Sequence, residues 1–137
     1  SGERRRVPFL DAAFYRRLTH RPLAWSEATI ARNTSIVRVT VPAGQFEATL
    51  YSVNVGGQRE GRFWIERAYP HRVVRWVWES TKKPAGRGQS SAEGLDAGEL
   101  TGSARLPYWK LHDPGDESHL NLLGLSAGAG GATSPPR

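Results

Sequence analysis

The chain has neither cysteine nor methionine. Without cysteine there is no disulfide framework, thiolate zinc site, iron–sulfur cluster or cysteine nucleophile. The same absence fits either redox compartment. No run of about 18–20 apolar residues occurs, so no transmembrane segment is expected. Lysine is scarce, 3 residues against 16 arginines, and the arginines are spread along the chain. That ratio reads first as codon composition and second as a surface for anionic partners, which a net charge of +6 and a pI near 10.3 would favour. The opening Ser1-Gly2 reads as a remnant of tag removal, so the chain is expected to be an excised fragment.

What is present fits one domain: 137 residues, 38% of them hydrophobic, with a mean hydropathy of -0.53. Glycine and proline together number 24 (15 plus 9), so part of the chain is expected to stay unpacked. Residues 1–7 read as a flexible basic leader carrying Arg4-Arg5-Arg6. Asp11 is placed to cap a short helix whose Leu10, Phe14 and Leu18 share one face, ending near Arg21-Pro22. Such a stripe is too short to stand alone in water and predicts packing on a sheet.

The sheet is read from alternation. Ile36–Val41 sets Val37, Val39 and Val41 against Arg38 and Thr40. After the turn at Pro42-Ala43-Gly44, residues 45–55 set Phe46, Ala48 and Leu50 against Glu47, Thr49 and Tyr51. Gly56-Gly57 marks a two-residue hairpin. Residues 62–68 and 73–79 follow as third and fourth strands, with Val74, Trp76 and Trp78 read on one face. Successive hairpins predict a mainly β (α+β) domain over 8–125. Its core is a curved antiparallel meander of five or more strands. Residues 81–98 lose all periodicity and read as a mobile loop. Glu99–Leu106 reads as a fifth strand whose small residues admit close approach by another element. A short helix is expected over 117–125, stopped by Gly124, and residues 126–137 read as a disordered tail.

No catalytic constellation stands out. His112, Asp113, Asp116, Glu117 and His119 crowd one turn, but they match no established metal-ligand spacing. They are the basis of a third reading, a metal-dependent hydrolase. No serine sits on a nucleophile elbow and no glycine-rich loop leads into a helix. No cofactor is expected. The five tryptophans are more informative. One sheet face, carrying Phe46, Leu50, Trp64, Trp76 and Trp78, is expected to bind an apolar ligand or a partner chain. Arginines interleaved with these rings supply the alternative, single-stranded nucleic acid.

Val41-Pro-Ala-Gly-Gln-Phe-Glu47 and Tyr69-Pro-His-Arg-Val-Val-Arg75 resemble the turn and strand motifs of a group of bacterial periplasmic domains. Those domains are distantly similar to the half-barrels of lipoprotein carriers of the LolA and LolB type. The resemblance covers residues 36–79. It implies a curved sheet that holds an apolar group, and a periplasmic or envelope location, and it supplies no catalytic residue.

Overall fold

The computed structural model describes residues 2–12, 17, 20, 22–80 and 95–126. Six strands follow one another in both sequence and space: β1 (Arg4–Leu10), β2 (Trp25–Val41), β3 (Gly44–Val55), β4 (Arg59–Glu66), β5 (Val73–Ser80) and β6 (Leu95–Glu99). Every neighbouring pair is antiparallel, so the sheet is the expected meander, and it is open. Two 3₁₀ helices follow, η1 (Tyr108–Lys110) and η2 (Asp116–Leu123).

Several boundaries differ from the sequence reading. Residues 4–7 are not a leader; they belong to β1 and pair with β2 from Arg4 opposite Ala31 to Leu10 opposite Trp25. The packed N-terminal helix is not borne out. Leu10, the first residue of its stripe, closes a strand, and the Asp11 carboxylate accepts a hydrogen bond from Arg59 at 3.1 Å. Phe14 and Leu18 lie outside the described residues. The first strand of the pattern is only the end of β2, which begins eleven residues earlier, at Trp25. The last strand lies at 95–99, four of its five residues inside the expected loop and only Glu99 within the expected strand, and residues 100–106 run irregularly. The rest of that loop, 81–94, and the tail from 127 lie outside the described residues. Gly124 does end the C-terminal helix, in the left-handed conformation at φ 68°.

The tight turns keep the register. Pro42 and Ala43 connect β2 to β3, with Val41 opposite Gly44. Gly56 and Gly57 both have positive φ, 54° and 68°, which glycine tolerates without strain. Gln58 N–H then donates to Val55 O at 3.0 Å, and pairing starts at Val55 opposite Arg59. The connection therefore holds three residues, not two.

Two small cores sit at opposite ends of the sheet, on opposite faces. One joins Val39 and Val41 of β2, Ala48 of β3 and Val74 of β5, with Phe46, Trp64 and Leu100 against them. The other joins Ala28, Val53 and Val55, with Val7, Phe9, Phe63 and Trp78 against them. Ala48 and Val53 lie five residues apart on one strand, and the β3–β4 register runs unbroken between them, so they point to opposite sides. β2 accommodates the change with an irregular stretch between Arg32 and Ile36. β5 does so with a bulge: Trp64 is opposite Arg75 and Ile65 is opposite Val73, leaving Val74 as the extra residue. Val74 therefore joins the first core, and it is not on the face of Trp76 and Trp78.

The sheet is strongly coiled. In a flat sheet β1 and β5 would lie about 19 Å apart, at four strand spacings. Yet the rings of Phe9 and Trp78 are 6.2 Å apart, so this end rolls around the second core. At the other end the sheet rolls the opposite way. The β2–β3 turn there meets the residue that follows β6: Ala43 N–H donates to Leu100 O at 3.0 Å, and Leu100 N–H to Val74 O at 2.9 Å.

Candidate functional site

Cross-strand neighbours in register share a face. Across the middle of the sheet one row reads Arg32, Tyr51, Phe63, Trp76, Gly98, one residue from each of β2 to β6. Three adjacent aromatic rings thus form a ladder, each half-buried. The row beside it reads Ile36, Thr49, Ile65, Val73. Ile36 is 52% exposed and Val73 42% exposed at the ends of this row, while Thr49 between them is buried and Ile65 partly so. On the other flank the row reads Ile30, Val53, Gly61, Trp78. This face is therefore mainly apolar over three rows, interrupted by Thr49, with exposed Arg5, Arg32 and Asp96 at the row ends.

The two paired glycines explain how large indoles fit. A Cβ on Gly98 would come within 2.4 Å of Trp76 Nε1, and one on Gly61 within 2.8 Å of the Trp78 ring. Each indole lies across the glycine opposite it, which supplies the missing packing for that strand position. Trp78 is also held by Phe63 at 5.6 Å in an edge-on arrangement and by the Arg59 guanidinium 4.2 Å above its ring. Arg59 is itself buried against Asp11.

The five residues expected on one face are divided between two. Trp76 and Trp78 lie on the ladder face. Phe46, Leu50 and Trp64 lie on the other, where Phe46 and Trp64 pack against the first core and Leu50 is opposite Trp64. Arg72 stands over the Phe46 ring at 5.4 Å and Arg75 over Trp64 at 5.9 Å. Tyr51 and Phe63 were not among the expected site residues, although both alternate correctly with their neighbours.

The arginines are heavily engaged. Arg5 pairs with Glu3, Arg6 with Glu27, Arg59 with Asp11, Arg62 with Glu79, Arg72 with Glu66 and Arg75 with Glu99. Glu66 is buried. Its hydrogen bonds from the Arg72 side chain hold its carboxyl below the ordinary carboxylate range, against the opposing pull of burial. Much of the positive charge near the sheet is thereby neutralised locally, which weakens the case for a polyanion.

The His112–His119 cluster borders an open cleft of about 500 Å³ floored by Leu106, Leu111, Leu120 and Leu123. Its carboxylates serve the local backbone: Asp116 accepts from Asp113 N–H at 3.0 Å and Glu117 from Gly115 N–H at 2.7 Å. Among the described residues no group of three or more His, Cys, Asp or Glu is arranged to hold a metal ion. Gly102 bears out the expected close approach, since a Cβ there would meet the Leu122 and Leu123 backbone within 2.6 Å.

No helix among the described residues is long and apolar enough to cross a membrane. Comparison of the chain with protein-family models, with curated proteins and with solved structures finds no match.

Proposed function

We propose that the chain is a non-catalytic binding module whose ladder face takes an apolar ligand or the apolar segment of a partner chain. The observation that carries this reading is the unbroken row Tyr51, Phe63, Trp76, each ring partly buried, flanked by the rows of Ile36 and Ile30. Burying a fully exposed aromatic side chain contributes about 1.5–3 kcal/mol, and these rings, already partly buried, each supply only part of that. Three of them support a weak affinity once the costs of association are met. Arg32 at the end of the row favours a ligand with an anionic end, such as a fatty acid. A periplasmic or envelope setting belongs to the same proposal and rests on the hairpin resemblance.

The test is tryptophan fluorescence during titration with palmitate and with a lipopeptide. A saturable shift, weakened about tenfold by Phe63→Ser and kept by Trp109→Ser, is the expected result. No shift with either amphiphile at saturation overturns the proposal. Retention on single-stranded DNA that falls steeply with salt, and is lost in Phe63→Ser, would replace it with nucleic-acid binding.

A further inference from the structure

The two edges of this open sheet are built differently. β1 carries Arg4, Arg5, Arg6 and Pro8, and charge and proline both deter an added strand. β6, Leu-Asp-Ala-Gly-Glu, has no proline; of its two charges, Asp96 and Glu99, the second is paired with Arg75 of β5, and no bulge interrupts its register with β5. Leu100 N–H donates inward to Val74 O. In an antiparallel ladder the direction alternates, so Gly98 and Asp96 also turn their backbone groups toward β5. Leu95, Ala97 and Glu99 turn theirs away. Among the described residues no strand lies beyond β6.

We propose that β6 pairs antiparallel with β6 of a second copy of this chain, about a two-fold axis at Ala97. The outward N–H and C=O groups then find each other, giving about six backbone hydrogen bonds across the axis. Ala97 meets its own counterpart, Leu95 meets Glu99 and Asp96 meets Gly98. No two carboxylates stand directly opposite, so the register is self-complementary, and the contact closes at two copies. The interface is small, so the dimer is weak and concentration-dependent. Two copies each carrying +6 repel, so added salt strengthens the pairing. This rests on the β6 backbone and is independent of what the ladder face binds.

Sedimentation velocity over a concentration series, at low and high salt, tests it. The expected result is a monomer–dimer equilibrium that shifts toward dimer with salt. Ala97→Pro removes an outward N–H while leaving the bonds to β5, and is expected to weaken the dimer at least about tenfold with the far-UV spectrum unchanged. Ala97→Lys sets two cations against each other at the axis and is expected to do the same, more strongly at low salt. A monomer at every concentration up to roughly millimolar overturns the proposal. So does a dimer that both folded variants leave intact, or one that salt dissociates.

Discussion

The buried Glu66 carboxylate receives two hydrogen bonds from the Arg72 guanidinium, Nε to Oε1 and Nη2 to Oε2, each at 2.8 Å. Arg72 N–H adds a third contact at 3.2 Å. The pair spans the β4–β5 turn and ties β4's last residue to the segment entering β5. With Glu66 only 3% exposed, the pairing is what permits a carboxylate at the edge of the first core.

Glu66→Gln is therefore expected to cost about 3 kcal/mol, because it leaves Arg72 facing a neutral group in a site shaped for an ion pair. The folded carboxyl titrates below its ordinary value, so its contribution is complete above the unfolded pKa. It fades as pH falls through the folded value. Urea denaturation of the native chain should show stability falling below about pH 4.5. The variant should show a shallower fall over the same interval.

Gly61→Val and Gly98→Val should each destabilise by about 1–3 kcal/mol, since a side chain at either position drives an indole off its strand. Near-UV circular dichroism is the discriminating measurement. Gly98→Val should perturb the tryptophan bands through Trp76 and Gly61→Val through Trp78. Unchanged spectra with unchanged stability would contradict the stacking.

Trp78→Ala and Trp109→Ala should differ sharply. Trp78 is wedged between Phe9, Phe63 and Arg59, so its removal should cost about 3–5 kcal/mol. Trp109 is 67% exposed beside Tyr108, and its removal should stay within about 0.5 kcal/mol. Thermal melts of the two variants side by side decide the matter.

The central strands were legible because each alternates cleanly between apolar and polar residues. β1 was not, because three arginines and a proline on an edge show no alternation at all. The first half of β2 was hidden by its polar stretch Arg32–Ser35, which precedes a change in the buried face. The site was half legible for a countable reason. Phe46, Leu50 and Trp64 share a face as the alternation implies, because the three-residue turn sets Leu50 opposite Trp64 and Tyr51 opposite Phe63. The bulge at Val74 then shifts the rest of β5 by one residue, which exchanges its two faces. It sends Trp76 and Trp78 to the side of Tyr51 and Phe63, a step that their own alternation does not reveal.

A sheet that tucks its two ends in opposite directions has no common interior. Among the described residues, the packing around Val74 and the packing around Val53 form two separate clusters, linked by the long strands between them. Damage at one end need not loosen the other. Amide exchange should accordingly run on two separate clocks, one for each end of β3, with the slower set by whichever cluster excludes water better.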